Sequence, residues 1–146
     1  MGDPEFKDFF ERLGVLHRCL RTAADQAYAT VDVGSAQAKF LRHIGRASGI
    51  SQADLARATE TAPTLTGRAL ETLVERGWVR RKRSEEDRRQ YVLELTAAGQ
   101  RARARVEEVR EGVLRRITAA VDEKDIEDFD RVSRKIRAAL DDTRSR

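Results

Sequence analysis

Sulfur, aromatic rings and long apolar runs are all scarce in this chain. Its one cysteine, Cys19, cannot close an intrachain disulfide, and with two histidines, His17 and His43, it makes no zinc-spaced group, which argues against a disulfide framework or a structural metal. No apolar run approaches the roughly 18 residues of a membrane span, and no secretory h-region follows the start, so a cytoplasmic protein without a membrane partner is the default expectation. There is no nucleophile elbow, phosphate-cradling glycine loop or metal motif; no enzyme is expected, and no cofactor. With aromatics at only 5% of 146 residues, any core must be mostly aliphatic, and that length is enough for one domain with a real core. Met1–Phe6, with its Gly-Asp-Pro-Glu-Phe, fits a vector scar as well as a native start and is set aside.

What the chain has in abundance is charge, 37% of its residues, and its placement is uneven. Arg76, Arg80, Arg81, Lys82, Arg83, Arg88 and Arg89 face only Glu85, Glu86 and Asp87 between residues 76 and 89. This stretch alone therefore carries the whole formal excess of +4. A concentrated cationic segment is the electrostatic footprint of a nucleic-acid binder.

Around that segment the apolar pattern predicts helices and one hairpin. Phe9, Leu13, Leu16, Leu20, Ala23, Ala24 and Ala27 recur at the spacing of an amphipathic helix. A break at Asp32–Ser35, punctuated by Gly34, makes Ser35 the expected N-cap of a second helix carrying Phe40, Leu41 and Ile44. Ser51 followed by Asp54 is close to a capping box and opens a short helix, with Leu55 and Ala56 facing inward. Pro63 suits the first position of the next helix, with Thr61 or Ala62 before it and Thr61 the better capping chemistry.

Helical arithmetic on that next segment turns Thr66, Ala69, Leu70 and Leu73 inward. Thr64, Leu65, Gly67, Arg68, Glu71 and Thr72 face outward. An outward Leu65 can meet a thymine methyl in a major groove, and Thr64 and Arg68 can donate to bases or phosphates. Gly67 weakens the helix by about 1 kcal/mol relative to alanine, a cost that makes sense if something must approach the backbone there. Gly77 is placed to end the helix. A strand is predicted at Trp78–Arg83, a charged loop at Ser84–Arg89 and a second strand at Gln90–Leu95, with Tyr91, Leu93 and Leu95 on the packed face. The loop arginines can enter a minor groove or hold phosphates, with Asp87 placed to orient one of them.

Thr96 can cap a long helix with Ala102, Val106, Val109, Val113, Leu114, Ile117 and Val121 at three-four spacing. After Asp122-Glu123 a last helix shows Ile126, Phe129, Val132, Ile136, Ala139 and Leu140. Neither has local partner surface except against the first helix. The expected fold is therefore mainly α with a small β-wing: a winged helix-turn-helix over residues 35–99, flanked by dimerisation helices over 1–34 and 100–146.

Asp87-Arg88-Arg89-Gln90-Tyr91-Val92-Leu93-Glu94-Leu95-Thr96, continued by Gly99, resembles the D-x-R-x5-L-T-x-x-G wing pattern of the MarR-type winged-helix transcription regulators. Leu70 to Arg81 is similar to their L-x-x-L-x-x-x-G-x-V-x-R segment. The resemblance covers most of the chain. It implies a homodimeric regulator, often a repressor, on a pseudo-palindromic double-stranded operator, released by a small anionic aromatic effector or by oxidation. It assigns Arg89 to the minor groove, Asp87 to bracing an arginine, and Thr64, Leu65 and Arg68 to base and phosphate contacts; Arg81, Arg83 and Arg88 complete the expected DNA-binding set. The chain departs from the pattern at Glu60, where a glycine is common, and at Gly67, where a small polar residue is usual.

For an effector, His17 and Arg21 share a helical face and His43 lies on the next helix, a set of groups able to hold an anion. The alternatives are a thiol-based redox regulator acting through Cys19, although a lone packed thiol is usually inert, and a protein-interaction module on the same fold without specific DNA binding. The basic wing argues against the second, because a protein-binding surface gains little from seven clustered cations.

Overall fold

The computed structural model describes residues 4–141, with side chains from residue 6 onward; residues 1–3 and 142–146, on which parts of the expected N- and C-terminal dimerisation segments fall, lie outside the described residues. The elements are α1 (Pro4–Ala29), α2 (Ser35–Arg46), α3 (Gln52–Ala58), α4 (Pro63–Glu75), β1 (Val79–Arg83), β2 (Tyr91–Leu95), α5 (Ala97–Ala120) and α6 (Glu123–Asp141). They fall into two compact units that divide between Glu111 and Gly112, inside α5.

The first unit holds the core. Phe40, Leu41, Ile44, Leu55, Leu70, Leu73, Leu93 and Val106 are fully buried, joined by Tyr28, Val33, Trp78, Val79 and Leu95. Each such aliphatic side chain withdrawn from water contributes about 1.5–3 kcal/mol. Here α2 packs on α1, α3, α4 and β2, while α4 packs on α3 and β1. The ion pair of Arg42 Nε with Glu107 Oε1, at 2.8 Å, joins α2 to the first part of α5.

Local chemistry fixes where each element starts and stops, and two caps differ from expectation. Gly34, not Ser35, is the N-cap of α2; the Ser35 hydroxyl is instead spent on Asp25 of α1. The left-handed residue of that turn is Asp32 (φ 57°), a short polar side chain that tolerates such a backbone, and Gly34 is extended. Likewise Ala62 caps α4 without a side-chain bond. The Thr61 hydroxyl accepts from Lys39 Nζ at 3.0 Å and donates to the Thr59 carbonyl at 3.2 Å, so it ties the turn to α2. Ser51 caps α3 as its sequence indicated, accepting from the Asp54 N–H at 3.1 Å. The Asp54 carboxyl is held below the usual carboxylate range by hydrogen bonds from Arg57 and then Ser51. Glu60 has φ 49°, the left-handed region, which is the physical reason glycine is common at that place in the motif.

Beyond α4, Gly77 (φ 74°) lets the chain turn back, with the Trp78 N–H returning to the Leu73 carbonyl at 3.0 Å. β1 and β2 then pair antiparallel from Val79↔Leu95 to Arg83↔Tyr91, and Ile50 adds a bridge to Leu93. Leu93 and Leu95 are buried, but Tyr91, expected on the packed face, is half exposed because the hairpin has left the helices by that point. Thr96 does more than cap α5. Its Oγ1 accepts from the Gly99 N–H at 3.0 Å and donates to the Gly77 carbonyl at 2.5 Å, so one hydroxyl ties the end of α4 to the start of α5. Gly99 is dictated by the same junction: a Cβ there would lie 2.0 Å from the Trp78 carbonyl oxygen.

The second unit comprises the end of α5 and α6, joined by a turn in which Asp122 and Asp125 cap each other's N–H, at 2.8 and 3.0 Å. No residue of α6 is buried; Ile126, Phe129 and Leu140 are 50%, 63% and 62% exposed. Among the described residues no helix is long and apolar enough to cross a membrane.

Candidate nucleic-acid interface

The outward face of α4 presents Thr64, Leu65 and Arg68 to solvent, as the helical arithmetic required, while Thr66, Leu70 and Leu73 anchor the opposite face. Thr66 is buried without cost because its hydroxyl donates to the Ala62 carbonyl at 3.0 Å. Leu65 is 57% exposed, an apolar side chain left largely open to solvent. Two open clefts flank this helix. One of about 530 Å³ is bordered by Lys39, Leu65, Arg68 and Thr72 among others, and one of about 700 Å³ is bordered by Gln52, Arg57, Thr61 and Pro63 among others.

In the basic segment the structure separates cations that build the fold from cations left for something else. Arg76 belongs to the first group. Its guanidinium lies 3.7 Å from the Trp78 ring centroid and donates to Gln37 Oε1 at 2.8 Å and Asp32 Oδ2 at 3.3 Å. Arg80 pairs with Glu94 across the hairpin, and Lys82 stands 3.8 Å from Glu85. Arg83 stiffens the wing from within: its Nη1 donates to the Arg88 carbonyl at 2.7 Å, and its guanidinium lies 5.1 Å from the Tyr91 ring centroid. Arg81 meets only a neutral partner, Gln52 Oε1, at 3.4 Å.

The guanidinium groups of Arg68, Arg88 and Arg89 are exposed and make no hydrogen bond or ion pair among the described residues. Their loop is nonetheless well defined. The Ser84 N–H donates to the Gln90 carbonyl at 2.9 Å, Asp87 N–H to Ser84 Oγ at 3.3 Å, and Arg89 N–H to Asp87 Oδ1 at 3.0 Å. Asp87 thus braces Arg89 through its backbone rather than by a bond to a guanidinium. That local bond explains why an acid two residues ahead of the arginine is the useful pattern.

The candidate effector residues lie on α1 and α2. His17 and Arg21 are exposed on α1, and His43 is half-buried with its Nδ1 2.9 Å from the Lys39 carbonyl of its own helix. None of the three borders either cleft. Cys19, taken from sequence as a packed thiol, is exposed on α1. Among the described residues no group of acids, histidines and cysteine is arranged to hold a metal. Sequence reasoning passed over Gln52, whose contact with Arg81 joins α3 to the wing; its place as the first residue after the Ser51 cap was the available signal.

A helix pair whose second member exposes one face, followed by a two-stranded hairpin with unpaired arginines at its tip, is a winged helix-turn-helix. Residues 31–90, which take in α2, α3, α4, β1 and the wing loop, match the model of the MarR family. It is 36% identical over 62 residues to the HTH-type transcriptional regulator BilQ of Clostridium symbiosum (strain WAL-14163); the match spans 42% of this chain and 43% of that relative. The fold is that of a mutant MarR from E. coli complexed with operator DNA, with TM-score 0.79, 19% identity, and 92% and 99% of the two chains covered. It is also that of Streptococcus pneumoniae FabT in complex with DNA, with TM-score 0.79, 17% identity, and 94% and 99% covered.

Proposed function

We propose that this chain is a sequence-specific DNA-binding transcriptional regulator that acts in the cytoplasm as a homodimer on a pseudo-palindromic operator, which it represses by occupying it. The observation that carries the reading is the set of unspent groups on one motif: Leu65 and Arg68 on the outward face of α4, and Arg88 and Arg89 at the wing tip. α4 enters the major groove, where Thr64, Leu65 and Arg68 meet base edges and phosphates. The wing, with Arg88 and Arg89 outermost, Arg81 at its base, and Arg83 and Asp87 fixing its shape, follows the backbone into the minor groove. Dimerisation is supported by the apolar side chains α1 and α6 leave uncovered, Phe10, Leu16 and Leu20 on one and Ile126, Phe129 and Leu140 on the other. A second copy covers them and sets two recognition helices about one helical turn apart.

Relief by a small anionic aromatic follows from the resemblance alone; His17, Arg21 and His43 border neither of the two clefts beside α4, so such a ligand would lie away from them. The test is a mobility-shift assay on the DNA flanking the protein's own gene, against scrambled DNA of the same composition. It is repeated with aromatic acids and with peroxide, the latter reading on exposed Cys19. A retarded band for the genomic fragment alone supports the reading; equal retardation of both refutes it.

A further inference from the structure

Gln52 is the first residue of α3, and its side chain touches two other elements. Its Oε1 accepts from Arg81 Nη2 of β1 at 3.4 Å. Its Nε2 stands 3.5 Å from the place a Cβ on Gly67 of α4 would occupy. The carboxamide therefore rests against the bare backbone of α4, beside the outward positions Thr64 and Arg68. An alanine at residue 67 would just meet it, and any longer side chain would push it away. Gly67 has an ordinary helical φ and no other neighbour within 4 Å, so the clearance for Gln52 is what its missing side chain provides within this chain.

The donor and acceptor inventory then decides what the pair can hold. A glutamine reads adenine by using Oε1 as acceptor and Nε2 as donor together. Here Arg81 engages Oε1, and Nε2 makes no hydrogen bond among the described residues. A guanidinium has donors only. The groups left unspent by the two side chains are therefore N–H donors carrying one positive charge, at a point where α3, α4 and β1 converge. Their complement is an anionic, acceptor-only group, and beside a recognition helix that group is a backbone phosphate.

We propose that Gln52 and Arg81 together hold one phosphate of the bound duplex, with Gln52 as the neutral positioning donor, Arg81 as the charge, and Gly67 as the clearance that admits them. The proposal rests on the DNA-binding reading above and adds a residue to it. Because the clamp draws on three elements, it sets how deep and in what register α4 sits relative to the wing.

The experiment uses the full chain, with the duplex that the wild-type protein selects from a random-sequence library and a scrambled duplex of the same composition. Affinity is read by fluorescence anisotropy at roughly 50 and 200 mM salt. Gln52→Ala weakens both duplexes by a similar factor, about fivefold to tenfold, with an unchanged salt slope because no charge has left. Arg81→Ala weakens both and lowers the slope by about one. The double variant loses less than the product of the two single effects, since both side chains serve one phosphate. Gln52→Glu keeps the size and the bond to Arg81, so it folds as the wild type does; by aiming a carboxylate at a phosphate it loses more than the alanine variant, and it decides the matter if Gln52→Ala melts early. A loss confined to the selected duplex would make Gln52 a base reader and overturn the proposal. So would unchanged binding by Gln52→Glu. A wild-type protein that selects no duplex would instead refute the functional reading, and that is seen before any variant is made.

Discussion

Between Ser35 and Leu95 the chain supplies most of one core, Phe40, Leu41, Ile44, Leu55, Leu70, Leu73 and Leu93, closed by Tyr28 of α1 and Val106 of α5, whereas α6 has no buried residue and leaves Ile126, Phe129 and Leu140 at least half exposed. The first region has a core, caps and a self-tied wing; α6 has helical periodicity but leaves its largest apolar side chains exposed. The function proposed above assigns DNA reading to the winged region, where the core lies, and assembly to the helices that flank it. Substitutions in the two regions are expected to fail differently.

The largest effect falls on the winged region's junction. Gly99→Ala drives a methyl into the Trp78 carbonyl, and thermal unfolding should show a loss of about 4 kcal/mol or more, with DNA binding lost alongside. Phe129→Asp, in the other region, should raise the dimer dissociation constant about a hundredfold by sedimentation, while the melting of the winged core persists. If it also abolished that core, the comparison would break. Arg68→Ala should cost about ten- to thirtyfold on the selected duplex and reduce its preference over scrambled DNA, with the dimer intact. Loss of the salt slope alone would reduce Arg68 to a phosphate contact. Arg89→Ala should weaken both duplexes about tenfold and lower the salt slope by about one, again with an intact dimer. Smallest is Ser51→Ala, which removes the α3 cap and should lower stability by about 1 kcal/mol.

The legible features were those whose cause is local. Ser51 with Asp54, Pro63 opening α4, Gly77 after its end and the alternation of buried Leu93 and Leu95 all act through near neighbours in sequence, and each appears where the pattern put it. Local rules failed where a distant partner competed for the same atoms. Ser35 and Thr61 both have capping chemistry, but Asp25 and Lys39, which lie across an element boundary, take their hydroxyls. Tyr91 obeys the strand's alternation yet faces solvent, because the hairpin projects past the helices that bury Leu93.

The site was legible in composition but not in division of labour. Seven clustered cations are visible in the sequence; that Arg76 serves Trp78 and Arg83 serves the loop, leaving Arg88 and Arg89 unspent, depends on contacts only the fold creates. Gly67 invited the inference of a close approach, and the neighbour proved to be Gln52, a residue that no pattern singled out.

Hydroxyl-radical footprinting of the protein on its selected duplex tests most directly whether two copies of this motif read DNA together. Two protected segments related by a two-fold axis, with centres about 10 base pairs apart, are the expected result. One unsymmetrical protected segment, or uniform protection along the whole duplex, would contradict it.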